Sequence, residues 1–144
     1  MNTVIRKYIK TDLDELLDVW YSASKLAHHF LDESFFEVER ENITSTYLPT
    51  AETWVYETDG KVVGFIALIG NEVGGIFVHA DCQGKGIGHT LMDHAARIRD
   101  GLVLNVFENN LIGRRFYDRY GFVKIGELMH EKTSENQLRL ELKI

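Results

Sequence analysis

Gln83, Gly84, Gly86 and Gly88 crowd into six positions, directly after the β-branched run around Ile76, Phe77 and Val78 and directly before an apolar-periodic stretch containing Leu91, Met92, Ala95 and Ala96. A strand that ends in glycines and opens into a helix leaves backbone N–H groups unpaired. The positive end of the helix dipole points the same way. Residues 76–89 therefore read as an anion site, and the natural ligand is one that carries phosphate. Lys85 can add a charge-assisted contact or stand as a solvated loop residue.

Two nucleotide motifs fit this loop poorly. A phosphate loop of the G-x-x-x-x-G-K-[ST] type needs a hydroxyl residue after its lysine, and here Gly86 follows Lys85. A dinucleotide fingerprint needs glycines at 84, 86 and 89, but position 89 is His, and the loop follows an antiparallel meander rather than the first strand of a parallel unit.

The elements that must hold the loop are readable from periodicity. Residues 3–9 alternate as a strand. Thr11 or Asp12 is placed to cap an amphipathic helix over 12–27, with Leu13, Leu16, Leu17 and Trp20 on one face. A more polar helix covers 34–46 and is expected to stop before Pro49. A strand from Trp54 turns at Thr58-Asp59-Gly60-Lys61, returns over 62–69, turns again at Gly70-Asn71 and gives a third strand over 73–79. After the glycine loop come a helix over 87–99, a strand over 102–107, a helix over 111–120 stopped by Gly121, and strands at 122–125 and 138–142. The order is β-α-α-β-β-β-α-β-α-β-β, a mixed α/β (α+β) domain on one mostly antiparallel sheet flanked by about four helices. There are no repeats and no linker, so residues 1–144 read as a single domain.

The spacing Gln83-x-x-Gly86-x-Gly88 matches the pattern [QR]-x-x-G-x-[GA]. A second motif follows it: Val106-x-x-x-Asn110, then Phe116-Tyr117-x-x-x-Gly121-Phe122-x-x-x-Gly126. With both motifs in this order, the chain resembles the GNAT superfamily of acetyl-CoA-dependent N-acetyltransferases. The resemblance spans nearly the whole chain and is weakest over 25–50 and 127–137. It implies acetyl-CoA (or CoA) as cosubstrate and a sheet that splays beside the strand before the loop. Phe77 and Val78 would offer backbone groups to the pantetheine arm there. Gln83, Gly84, Lys85, Gly86, Ile87, Gly88 and His89 would wrap the pyrophosphate. Asn110 is suited to cap its helix and, by resemblance, to bond the pantetheine arm as well.

Acetyl transfer to an amine sets three requirements. The amine must lose a proton, which costs an alkyl amine about 4–5 kcal/mol at neutral pH. The tetrahedral oxyanion needs a donor, for which a strand amide such as that of Val78 serves. The leaving thiolate needs a hydrogen bond or a proton. Tyr117 matches the family tyrosine near the cofactor sulfur. A phenol is a weaker acid than a thiol, so a strong hydrogen bond to the developing thiolate is sufficient. Glu72, Glu108, His79 and His28 are candidates for the general base, and His28 and Glu72 are the two preferred. His28 begins an H-x-F-L stretch that recurs in some small bacterial members of the family, many of which use a water chain instead.

Composition narrows the partners. A net charge of −6 argues against bulk nucleic-acid binding and suits solubility or a cationic acceptor, either a small molecule or a peptide amine. The six histidines and Cys82 show no metal-site spacing, so no metal is expected. A single cysteine, no apolar run of membrane-spanning length and no signal-peptide pattern lead to an expectation of a cytoplasmic protein without a membrane partner. Leu138, Leu140 and Leu142 pair either inside the sheet or across a homodimer, so both monomer and homodimer stand. A non-catalytic CoA-binding sensor on the same fold is the alternative function.

Overall fold

Asp59 and Gly60 have φ of 50° and 82°, the two positive angles that a tight hairpin between twisted strands requires. This turn joins β2 (Glu52–Thr58) to β3 (Lys61–Ile69). The computed structural model describes residues 2–144. Its remaining elements are β1 (Thr3–Lys7), α1 (Leu13–Ala27), α2 (Glu33–Asn42), β4 (Glu72–Val78), α3 (Ile87–Arg97), β5 (Gly101–Phe107), α4 (Leu111–Tyr120), β6 (Val123–His130) and β7 (Glu135–Lys143). The strands lie in the order β1-β2-β3-β4-β5-β7-β6. Among the described residues only β4 and β5 run parallel. The expected order of elements and the mixed, mostly antiparallel sheet are both observed. Among the described residues no helix is long and apolar enough to cross a membrane.

Each face of the sheet buries its own cluster. On one face Ile66, Leu68, Leu102, Leu104, Leu138 and Leu140 pack against Ile87, Leu91, Met92 and Ala95 of α3, with Phe116, Tyr117 and Tyr120 of α4 at the margin. On the other, Val55, Val62 and Phe65 pack against Leu16, Val19 and Trp20 of α1 and Phe36 of α2. The apolar spacing of α1 and α3 places these residues on one stripe of each helix. The sheet's edges and its gap thus lie between two helical layers.

Three expectations shift in detail, and a fourth, left open by the sequence, finds its explanation inside the sheet. Asp12 does not cap α1 with its side chain. It accepts from the Ile9 N–H at 2.9 Å and pairs with both Arg6 Nη atoms at 2.8 and 2.9 Å, so it ties β1 to the start of the helix. The α2 helix does not stop before Pro49. It runs on through a wide π turn over Ile43–Tyr47 into a last turn, Leu48–Thr50, in which Pro49 occupies the first positions. The Leu48 N–H is bonded back to the Ile43 carbonyl across the wide turn, and Pro49, which has no N–H to donate, stands in the final turn. Strands β6 and β7 are longer than 122–125 and 138–142, because β6 is largely exposed and lacks the apolar alternation that marks half-buried strands. Finally, β7 is paired on both sides, by β5 and β6, which accounts for Leu138, Leu140 and Leu142 within the chain.

The register positions the functional gap. β4 is laddered to β3, with a bulge at Gly74, but meets β5 at one position only, Glu72↔Val103. Beyond it the two strands part. Gly64 on β3 lets α3 sit against the strand just there: a Cβ at this position would lie 3.1 Å from Ile87 Cγ2, 3.2 Å from Leu91 Cδ1 and 3.2 Å from the Phe77 carbonyl oxygen. Gly64→Val is therefore expected to lift the start of α3 and cost about 1–3 kcal/mol in urea denaturation. Wild-type stability in this variant would show that the contact is slack.

Candidate active site

The parted strands leave backbone groups unpaired, and the antiparallel ladder decides which. The His79 N–H donates to the Val63 carbonyl at 2.8 Å, beside the pairs Gly64↔Val78 and Phe65↔Phe77. Hydrogen-bonded and non-bonded pairs alternate in such a ladder. Phe77 is thus bonded to Phe65, while the N–H and C=O of Ile76 and Val78 turn toward the gap. This corrects the expectation for Phe77: its backbone is spent on β3 and its ring packs against Phe65 at 5.4 Å. Ile76 takes its place as a backbone donor. The Val78 carbonyl accepts from Gln83 Nε2 at 3.1 Å, so the N–H is the group left for a ligand.

A cavity of about 770 Å³ passes through this gap. It is walled on one side by the glycine loop and α4, and on the other by α1 and α2. Gly84 and Gly86 hold φ of +80° and +86°, a conformation that favours glycine. The first intrahelical bond of α3 runs from the Thr90 N–H to the Gly86 carbonyl at 3.0 Å, so the N–H groups of Ile87, Gly88 and His89 precede the helical ladder and are free for an anion. The loop is pinned to α1: the Ala80 N–H donates to Ser22 Oγ at 3.1 Å, and His79 Nε2 stands 3.2 Å from Asp18. Gln83, Gly84, Gly86, Ile87, Gly88 and His89 line the cavity; Lys85 does not and is exposed. Gly88 also serves packing, since a Cβ there would sit 3.2 Å from Phe116 Cε1.

Helix α4 supplies the opposite wall of the same chamber. Asn110 caps it, accepting from the Gly113 N–H at 2.8 Å, and is buried. Tyr117 lines the cavity and makes no side-chain hydrogen bond to another described residue; burial holds its phenol well above the usual tyrosine range. It is therefore protonated at every physiological pH and available as a donor. Tyr120 donates to Asp93 at 2.6 Å, which fastens α4 to α3. Arg115 and Arg119, one helical turn apart, also line the cavity and make no ion pair among the described residues. Sequence reasoning passed over them, although their spacing beside Tyr117 was a usable signal.

The wall made by α1 and α2 is aromatic. His28 ends α1, lines the cavity and stands 3.5 Å from Asn110 Nδ2. Phe107 sits at the centre, with the rings of His28 and His130 at 5.1 and 5.2 Å and Phe35 at 6.3 Å. His130 lies in the stretch 127–137, where the sequence carried no readable signal. Desolvation, reinforced by neighbouring His29, pushes the pKa of His28 down to about 4. It is neutral at pH 7 and a weak base. Glu72 is placed elsewhere: it begins β4, is ion-paired to Arg139 and does not line the cavity. The proximity that a base requires is thus met by His28 and not by Glu72. Among the described residues no three His, Cys, Asp or Glu side chains group to hold a metal ion.

Burial of neutral His28 has a thermodynamic consequence with a definite sign. In the unfolded chain it takes a proton near pH 6.5, and in the fold only near 4. Its contribution is complete above 6.5 and is lost as pH falls through that window, by about 2–3 kcal/mol. Urea denaturation between pH 6.5 and 4 is expected to show a smaller loss in His28→Gln than in the wild type; equal losses would contradict the burial.

Known proteins share this sequence pattern and this fold. The acetyltransferase (GNAT) domain family matches residues 49–124. The chain is 34% identical over 123 residues to peptidyl-lysine N-acetyltransferase YjaB of Salmonella typhimurium, covering 85% of this chain and 84% of that one. It is 28% identical to peptidyl-lysine N-acetyltransferase YiaC of Escherichia coli, over 83% of this chain and 82% of that one. Among solved structures, apo YjaB from Escherichia coli superposes with a TM-score of 0.86 at 28% identity, over 99% and 98% of the two chains. The PaiA N-acetyltransferase of Thermoplasma acidophilum, solved with coenzyme A, shares the fold with a TM-score of 0.79 at 22% identity over the full length of both. The splayed strands, the glycine loop at a helix start and these similarities together place the chain in the GNAT family of acetyl-CoA-dependent N-acetyltransferases, enzymes that move an acetyl group onto an amine.

Proposed function

We propose that the amine acetylated by this enzyme is the side chain of a peptidyl lysine, and that donor and acceptor reach the gap between β4 and β5 from opposite faces of the sheet. The observation that carries this reading is that the Val78 N–H, the Tyr117 side chain and the free amides of the glycine loop all border one cavity. The relatives named peptidyl-lysine N-acetyltransferases support the choice of acceptor. They also disfavour a non-catalytic CoA sensor.

The cavity offers the donors that acetyl-CoA would need. The N–H groups of 87–89, with Arg115 and Arg119 at the rim, take the phosphates. Ile76 and Val78 offer strand-like bonds to the pantetheine arm, and Asn110 is a further partner. Acetyl-CoA supplies an acetyl group activated as a thioester. The Val78 N–H donates to the acetyl oxygen as negative charge develops there. The amine nitrogen forms the new bond to the acetyl carbon, and the bond from that carbon to sulfur breaks. Tyr117 donates to the departing sulfur. One proton must leave the amine. Desolvation makes His28 a weak base, so it accepts a hydrogen bond from the neutral amine, and the amine's proton leaves to water at the cavity mouth.

Tyr117→Phe is expected to lower kcat about 100-fold on a lysine-containing peptide while acetyl-CoA still binds, measured by thiol release and by calorimetry. An unchanged kcat would remove Tyr117 from the chemistry. Binding of CoA without transfer to any amine by the wild type would favour the sensor instead.

A further inference from the structure

Helix α2 presents two faces with different tasks. Phe36 and Arg40, one turn apart, turn toward α1. Phe36 packs on Trp20 and Tyr21 at 6.2 and 6.0 Å, and the Arg40 guanidinium lies over the same rings at 5.6 and 5.3 Å. Tyr21 Oη also donates to Glu33 at 2.8 Å. These contacts fix the rotation of the helix. The adjacent pair, Phe35 and Glu39, also one turn apart, is thereby turned into the cavity.

Glu39 is the only carboxylate on the cavity wall among the described residues. It is half-buried, and Asn42 Nδ2 donates to its Oε1 at 3.3 Å, which leaves the second oxygen for a ligand. Charge in the cavity is therefore divided. Arg115 and Arg119 stand on the wall that suits phosphates, and Glu39 stands on the far wall one helical turn from Phe35, whose ring packs on Phe107 and His130 at 6.3 and 6.2 Å. An apolar ring surface ending in one carboxylate matches an alkyl stem ending in, or flanked by, a positive charge.

Building on the acetyltransferase reading above, we propose that Glu39 is a specificity-determining residue for the acceptor. It captures the cationic lysyl side chain, while Phe35, Phe107 and His130 hold the alkyl stem. Acceptors whose amine sits on a long apolar stem away from other negative charge are selected, and those that bring a carboxylate beside the amine are rejected.

The test compares wild type, Glu39→Gln and Glu39→Lys on a lysyl peptide with a blocked α-amine and on an unblocked α-amine peptide with no lysine. CoA calorimetry and thermal melting serve as folding controls. The wild type is expected to prefer the lysyl peptide, with a KM that rises on addition of NaCl. Glu39→Gln should raise that KM about tenfold and flatten its salt dependence, and Glu39→Lys should raise it further. The KM for acetyl-CoA should not follow these changes. An unaltered lysyl KM in a Glu39→Gln protein that still transfers acetyl would overturn the proposal, as would a wild-type preference for the α-amine peptide. Absence of transfer to either peptide, with CoA bound, would instead overturn the peptidyl-lysine reading on which the proposal rests.

Discussion

Everything at the centre of this molecule depends on backbone hydrogen bonds that are not made. A strand inside a sheet ordinarily satisfies both edges. Here β4 is satisfied along β3 and then, after its single pairing with β5 at Glu72↔Val103, left open on the other edge. The open edge is tolerable only because it borders a cavity that solvent or ligand fills. It survives because α3 and α4 are clamped over it, by Gly64 beneath Ile87, by Gly88 against Phe116 and by the bond from Tyr120 to Asp93. The opening also crosses the whole sheet, so a reaction inside it can be supplied from two faces at once.

That division of faces explains the unequal chemistry of the two walls. The wall bearing the glycine loop has oriented amides and arginines, groups that hold charge of fixed sign without a preference for shape. The α1 and α2 wall has rings, a half-buried neutral imidazole and one carboxylate, groups that discriminate by shape and charge. His28 illustrates the cost of the arrangement. Its position beside Phe107 gives the site a hydrogen-bond acceptor, and the same burial removes most of its basicity. Tyr117 is the complementary case, since burial that weakens it as an acid keeps it protonated.

Legibility in the sequence followed the kind of physics involved. The glycine loop, the hairpin at Asp59-Gly60 and the order of elements were readable, because backbone conformation and periodicity are local properties. Tyr117 and Asn110, which line the cavity from one helix, were reached through motif spacing. What escaped depends on three-dimensional neighbours. Whether Phe77 or Ile76 faces the gap is set by the phase of the ladder with β3, which no spacing within β4 reveals. Glu72 looked available until the fold set Arg139 beside it. Glu39 and His130 come from segments with no motif and acquire meaning only from the wall they join. The passage of α2 through Pro49 required a π turn, which sequence patterns rarely announce.

Amide hydrogen exchange along β4, followed with and without saturating CoA, addresses the open edge directly. The Phe77 amide is expected to be protected throughout, because it is bonded to β3. The Ile76 and Val78 amides should exchange readily in the free protein and become protected when CoA binds. Protection of Phe77 and Val78 alike in the free protein, or CoA binding that leaves Ile76 and Val78 unprotected, would contradict the claim that this strand edge receives the acetyl donor.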